Sequence, residues 1–157
     1  MAKRTKITHT NKQSPSQRAG LNVSRGSVLS KRMKLNGTVF SGQGEGEKFL
    51  ELSWVKRQIE EKLGFTPYPG TLNILLSSKS AKRRKLLEKA HSTKVCPAEG
   101  YCSGIIFKAF IGTLECAIII PEVAGYPRDV LEIMAPANLR EKLELVDGDG
   151  VTVTVNL

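Results

Sequence analysis

The 157-residue sequence has few of the features that mark a membrane protein or a zinc protein. No apolar run approaches the roughly 20 residues that a membrane-spanning helix needs. The three cysteines, Cys96, Cys102 and Cys116, form no CxxC pair, and there are only two histidines. No membrane-spanning helix and no zinc site are therefore expected. The cysteines are interpreted as reduced, structural thiols of a cytoplasmic protein.

Acidic residues are absent from residues 1–35, which contain nine lysines and arginines. The other residues hold 15 basic and 15 acidic side chains, so the net charge of +9 arises entirely in this first segment. The remainder of the chain is neutral overall and gives no general reason to expect a polyanionic partner.

Residues 1–35 also lack aromatic residues and any apolar periodicity. Such a segment cannot offset its own ordering entropy, so we predict a disordered basic N-terminal arm that precedes a folded domain over residues 36–157. The arm has no apolar h-region and is not a secretory signal. An organelle transit peptide is the alternative interpretation. As an arm, it could contact RNA or membrane lipids weakly through charge alone.

Apolar alternation and turn residues predict a mainly β fold. Strands are expected over residues 36–41, 48–52, 71–76, 102–112, 113–121, 129–135 and 151–155. Helices are expected over residues 53–65, with Ser53 as N-cap and Gly64 as stop, and over residues 77–94 and 137–143. Six or seven short strands with two or three inserted helices and no βαβ rhythm predict a small closed β-barrel. The basic helix over 77–94 is either a solvated surface element or a local contact for a polyanion or a nucleotide.

The stretch "FSGQGEGEKF", residues 40–49, has three alternating glycines and is predicted to join two strands. It lacks the GxxxxGK[ST] pattern of a Walker loop. Glycines allow backbone N–H groups to converge on phosphate oxygens, but they are equally common at flexible hairpin tips. Both interpretations stay open on this loop alone.

Polar side chains in two other predicted strands are candidates for chemistry. Thr71 and Asn73 lie at i and i+2, on one face, and their oxygens suit Mg²⁺, although they could instead satisfy local backbone groups. Glu132 lies in an apolar strand, where it either faces solvent or serves a site as acceptor or base. Arg140 either contacts a base edge or phosphate, or pairs on the surface with Glu144.

Five segments occur in a specific order: "SGQGEGEKF", "LGFTPYPGTLN", "AIIIPE", "LEIMAPANLRE" and "DGDGVTV". In this order and spacing the chain resembles the archaeal-type CTP-dependent riboflavin kinases, from about Asn36 to Val155. The resemblance implies a small cradle-loop β-barrel. It also implies transfer of the γ-phosphoryl group of CTP to the ribityl 5′-hydroxyl of riboflavin, which gives FMN and CDP, with Mg²⁺ as cofactor. We expect a monomer that acts on these small-molecule substrates.

The resemblance also assigns residues to roles. Thr71 and Asn73 would bind Mg²⁺, and Glu132 would contact the flavin ligand and act as the catalytic residue. The residues implied in nucleotide binding are Gly42, Gln43, Gly44, Glu45, Gly46, Glu47, Ala137, Asn138, Leu139 and Arg140.

One flavin-side position departs from the family pattern. Ala124 stands where the family usually carries a threonine that touches the flavin, and Tyr126 could substitute by stacking. This departure makes a catalytically impaired flavin- or nucleotide-binding relative one alternative. A DNA-binding cradle-loop barrel regulator is the other.

Overall fold

A computed structural model describes residues 31–157 apart from Pro97, Glu99, Tyr101 and Cys102, and it describes only the backbone of Glu45 and Gly46. The predicted disordered arm therefore lies almost wholly outside the described residues. The first strand begins at Arg32, before the predicted domain boundary at Asn36. Met33 and Leu35 are buried in the core, so the strand extends toward the N-terminus. The boundary at residue 36 followed the distribution of charge, which carries no information on burial.

The described part of the chain contains seven strands and four α-helices. The strands are β1 (Arg32–Phe40), β2 (Leu72–Leu76), β3 (Ser92–Val95), β4 (Gly104–Ile111), β5 (Leu114–Pro121), β6 (Val130–Met134) and β7 (Gly150–Asn156). The helices are α1 (Glu45–Glu51), α2 (Ser53–Leu63), α3 (Ser78–Arg83) and α4 (Leu139–Lys142), with a 3₁₀ helix over Arg84–Lys89. This exceeds the two or three helices predicted. The helix predicted over 77–94 is divided between α3, the 3₁₀ helix and β3.

Six of the strands close into an antiparallel barrel in the order β4-β5-β6-β2-β1-β7, and β3 pairs with the first half of β4, over residues 104–107. Closure occurs where Phe110 of β4 pairs with Thr154 of β7. The prediction of a mainly β, closed barrel is confirmed. Because the barrel is closed, none of these six strands has a free edge. The prediction of a barrel rested on this property, since exposed edges of short strands can pair with other chains.

Two apolar clusters lie on opposite sides of the sheet. Side chains such as Leu35, Ile74 and Val153 fill the barrel interior. Ile119 and Met134 face outward, where Val55 and Ile59 of α2 cover them. Strand β5 is therefore apolar on both faces over residues 116–120, which explains its nearly continuous apolar sequence. Cys116 belongs to the interior cluster, and burial raises the pKa of its thiol to about 12. Cys96 is exposed and unpaired.

The strand predicted over 48–52 was wrong, because this segment belongs to α1. Glutamate, lysine and leucine favour a helix there. Leu50 is buried in the outer cluster, and the Phe49 ring meets Trp54 edge to face at 6.0 Å between centroids. The predicted N-cap Ser53 is also wrong, since Leu52 caps α2, whereas Gly64 ends α2 with φ 82° as predicted. No helix among the described residues has the length and hydropathy that a membrane crossing requires.

Candidate active site

Three neighbouring strands bring the candidate segments side by side. Asn73 in β2 is paired with Phe40 at the end of β1 on one side and with Glu132 in β6 on the other. Leu72 and Ile74 point into the barrel, so Asn73 points to its outer face. The glycine loop (residues 41–47) follows Phe40 directly and ends in the first turn of α1. The prediction that this loop joins two strands was therefore wrong, because it precedes a helix.

A cleft of about 510 Å³ opens on this outer face, between the glycine loop and the β5–β6 connection. Among the predicted site residues, those that line it are Gly42, Gln43, Gly44, Glu47, Thr71, Asn73, Glu132 and Arg140. The loop and the Thr71/Asn73 pair thus share one cleft, although about thirty residues separate them in the chain.

The oxygens of Thr71, Asn73 and Glu132 lie close together at the base of the cleft. The Thr71 hydroxyl lies 3.4 Å from Asn73 Oδ1 and 3.2 Å from Glu132 Oε1, and it can donate to either. All three residues are half-buried. Thr71 therefore bonds to neighbouring side chains of the cleft, and Glu132 is not a freely solvated strand residue.

This oxygen group has the composition that a magnesium ion prefers. Neighbouring ligands of octahedral Mg²⁺, at about 2.1 Å from the ion, lie about 3 Å apart, which is close to the spacing of these oxygens. No group of three His, Cys, Asp or Glu side chains in the described part of the chain is placed to hold a metal. The cleft thus offers a hydroxyl, an amide and one carboxylate, a set that suits an ion retaining several waters.

Tyr126, in the β5–β6 connection, holds the second oxygen of Glu132. Its hydroxyl donates to Glu132 Oε2 at 2.6 Å. Burial, and then this hydrogen bond, raise the pKa of the Tyr126 phenol well above its ordinary value, so the phenol remains a donor. Tyr126 therefore holds one carboxylate oxygen, and the Thr71 hydroxyl lies within hydrogen-bond distance of the other. Sequence reasoning named Tyr126 only as a possible stacking residue and missed this bond.

Arg140 ties the end of β1 to the turn before β7. Its Nη2 donates to Asp147 Oδ1 at 2.7 Å and to the Phe40 carbonyl at 3.1 Å. The alternative pairing with Glu144 is thus not what the structure shows. Ser41 donates to the same carboxylate at 2.8 Å. The hydrogen bond from Arg140 lowers the pKa of Asp147 most, and the hydrogen bond from Ser41 lowers it further. The sequence "DGDG" had indicated only a turn, and so Asp147 was missed as a support for the glycine loop.

A second, smaller cavity of about 220 Å³ adjoins the first and shares Glu47, Thr71 and Arg140 with it. Ala137, Asn138 and Leu139 line this cavity. Asn138 Oδ1 caps α4 by accepting from the backbone N–H groups of Arg140 and Glu141. The Asn138 amide nitrogen donates to the Tyr68 hydroxyl at 3.1 Å. An amide NH₂ carries two hydrogens, so this group can bond Tyr68 and a ligand together.

One predicted site residue lies apart from the two cavities. Ala124 is exposed and lies outside both sets of lining residues. Glu45 and Gly46 belong to the first turn of α1.

Fold and site together define a small β-barrel protein whose outer cleft joins a glycine loop to a cluster of side-chain oxygens. The family model CTP-dep_RFKase, described as a domain of unknown function, DUF120, matches residues 39–155. The chain belongs to this family.

Curated relatives agree with the family assignment. The riboflavin kinase of Methanosarcina barkeri is 39% identical over 128 residues, covering 77% of this chain and 56% of the relative. That of Pyrobaculum aerophilum is 42% identical over 132 residues, covering 80% and 61%. That of Ignicoccus hospitalis is 39% identical over 132 residues, covering 82% and 74%. The match thus spans little more than half the length of some of these relatives.

Proposed function

We propose that the protein is a CTP-dependent riboflavin kinase, which transfers the γ-phosphoryl group of CTP to the 5′-hydroxyl of riboflavin. The observation that carries the proposal is the meeting of the glycine loop, the Thr71/Asn73 pair and Glu132 in one cleft. Family membership and the printed names of the relatives support the choice of substrates.

In the proposed complex, backbone N–H groups of residues 42–44 bind the phosphates of the nucleotide. Gly42 and Gly44 leave the backbone accessible there because they have no side chain. Phosphoryl transfer depends mainly on positioning and on neutralising charge, which is the work such a loop performs. Arg140 stabilises the start of the loop, because it donates to the carbonyl of Phe40, the residue directly before the loop.

Thr71 Oγ1 and Asn73 Oδ1 are the proposed protein ligands of Mg²⁺. The bound ion would neutralise charge on the phosphate oxygens. The side chains contribute by holding their oxygens in place before the ligand arrives. The bond between Thr71 and Glu132 supports this arrangement.

Glu132 is the proposed acceptor for the ribityl hydroxyl. Tyr126 holds one of its oxygens and the Thr71 hydroxyl lies 3.2 Å from the other, so the carboxylate can orient the attacking hydroxyl and receive its proton in the transition state. Orientation is the larger contribution, because loose phosphoryl-transfer transition states need little help from a base. Asn138, in the adjoining cavity, is the proposed reader of the cytosine edge.

The test is incubation of the purified full chain with riboflavin, Mg²⁺ and each of CTP, ATP, GTP and UTP, followed by separation of FMN. We expect FMN with CTP, little with the other nucleotides, and none when a chelator removes the metal. Equal use of ATP would overturn the cytosine assignment. Binding of riboflavin and CTP without FMN would favour the catalytically impaired relative. Salt-dependent DNA binding by the barrel domain would favour the regulator.

The monomeric state, the cytoplasmic location and the weak nucleic-acid contact of the basic arm stay predictions. Gel filtration with light scattering measures the first of them, with a single 17.2 kDa species expected.

A further inference from the structure

Arg84 connects the basic segment over 77–94 to the wall of the larger cleft. It is the first residue of the 3₁₀ helix and is half-buried. Its Nη1 donates to the Pro127 carbonyl at 2.8 Å, and its Cζ lies 5.7 Å from the centroid of the Tyr126 ring. One guanidinium therefore contacts two consecutive residues of the β5–β6 connection.

The segment that carries Arg84 is fixed to the barrel. Ser80 of α3 is buried, and its hydroxyl accepts from the Asn36 N–H of β1 at 2.8 Å. Ser77 caps α3 by accepting from the Ser80 N–H. Arg84 thus extends from an anchored element toward a connection that has no regular secondary structure between β5 and β6.

The surroundings of Arg84 differ from those of an ordinary surface arginine. The ion pairs of the described residues are Lys94–Glu122 and Arg140–Asp147, and Arg84 belongs to neither. Burial lowers the pKa of its guanidinium, so this position carries a desolvation cost. A planar guanidinium can face an aromatic ring and donate to a carbonyl together, whereas a lysine ammonium lacks that planar fork.

Tyr126 in turn contacts Glu132 in the larger cleft. The Tyr126 hydroxyl bonds Glu132 Oε2 at 2.6 Å, and Glu132 is the proposed acceptor for the substrate hydroxyl. Displacement of the Tyr126 ring would leave that carboxylate oxygen without its protein donor. Arg84, about fifty positions from Glu132 in the chain, is therefore joined to it through a single side chain.

We propose that Arg84 is a positioning residue that holds Tyr126 against Glu132 and so fixes the carboxylate for the phosphoryl acceptor. The part that concerns the acceptor rests on the proposed kinase function. The part that concerns the position of Tyr126 does not.

Crystal structures of the full chain test the positional part without any assay of activity. In Arg84→Ala we expect the Tyr126 hydroxyl to leave hydrogen-bond distance of Glu132. In the control Arg83→Ala, which removes the same charge one residue earlier, the bond should persist. An intact Tyr126–Glu132 bond in Arg84→Ala would overturn the inference, whether or not the protein is a kinase.

Steady-state kinetics test the functional part. Arg84→Ala and Tyr126→Phe should each lower kcat about three- to tenfold, the range expected for one hydrogen bond, and leave the KM for CTP unchanged. Arg84→Lys should recover only part of the loss, and Arg83→Ala should behave as the wild type. The double variant Arg84→Ala/Tyr126→Phe should be no slower than the slower single variant, because both changes remove one interaction.

Three outcomes separate the two proposals. Multiplying effects in the double variant, or equal effects of Arg83→Ala and Arg84→Ala, would overturn the role of Arg84 while leaving the kinase function intact. Absence of FMN from the wild type would overturn the proposed function, and the crystallographic comparison would still decide whether Arg84 positions Tyr126.

Discussion

Gly42 lies directly against the side chain of Asn73, so closely that a Cβ at position 42 would overlap the Asn73 amide nitrogen. This contact joins the glycine loop to β2. Because β1 and β2 pair at Phe40 and Asn73, the chain leaves β1 and immediately passes over the candidate metal ligand. A side chain at position 42 would therefore fit only if Asn73 or the loop moved, so glycine here preserves the position of Asn73.

Gly42→Ala should displace Asn73 or the loop and strongly reduce FMN formation, by about a hundredfold if the displacement reaches 1 Å. The stability of the barrel should change little, because the site is on its outer face. The measurements are kcat/KM for CTP and thermal unfolding. Gly150→Ala is the matched control, since a Cβ there meets open space. Equal activity of Gly42→Ala and the wild type would contradict the proposed role of this contact.

Thr71→Ala combined with Asn73→Ala should nearly abolish Mg²⁺-dependent turnover, because both proposed protein ligands of the ion are lost. The fold should remain, since both side chains are only half-buried and point away from the core. Activity is measured over a Mg²⁺ titration, and circular dichroism monitors the fold. Thr152→Ala, on the exposed face of β7, is the control. Normal Mg²⁺-dependent activity in the double variant would show that the metal is bound elsewhere.

Asp147→Asn should lower stability at neutral pH but not in acid. The Arg140 guanidinium lowers the pKa of Asp147 from its ordinary value of 3.8. A carboxylate with a lowered pKa in the folded state stabilises that state above about pH 4, and this stabilisation is lost as the pH falls through the folded-state pKa. Urea unfolding of the wild type and the variant at pH 7 and at decreasing pH measures the effect.

The difference in unfolding free energy between the wild type and Asp147→Asn should disappear in acid. Glu141→Gln removes an equivalent charge from an exposed residue of α4 and should show no such difference. A difference for Asp147→Asn that persists unchanged at the lowest pH would mean that the ion pair is not its cause.

Ile59→Ala should destabilise the protein by about 2–5 kcal/mol, as expected for loss of a buried isoleucine. Ile59 is fully buried between α2 and the outer face of the barrel. Glu61→Ala, on the exposed side of the same helix, should change the unfolding free energy by less than about 0.5 kcal/mol. Similar unfolding free energies for the two variants would contradict the assigned packing of α2.

The barrel could be predicted from sequence because its strands carry strong local signals. The apolar runs over residues 102–112 and 113–121 indicated two successive strands, which the structure pairs as β4 and β5. Helix α1 was missed, because Phe49 and Leu50 in a short segment fit a strand as readily as a helix. Only the packing of Leu50 against the outer cluster decides between them.

The site was predictable in part, for a similar reason. The i, i+2 spacing of Thr71 and Asn73 fixes their common face locally, and the register of β2 and β6 then brings Glu132 beside them. The supports of the site come from contacts between distant segments. The bonds Arg140–Asp147, Tyr126–Glu132 and Arg84–Pro127 depend on how loops close over the barrel, and no local pattern specifies that.

A crystal structure of the full chain with Mg²⁺ and a non-hydrolysable CTP analogue tests the central claim most directly. We predict that the triphosphate lies against the backbone N–H groups of residues 42–44, with Thr71 Oγ1 and Asn73 Oδ1 both bound to the metal. A nucleotide bound outside this cleft, or a metal that has neither side chain as a ligand, would contradict it.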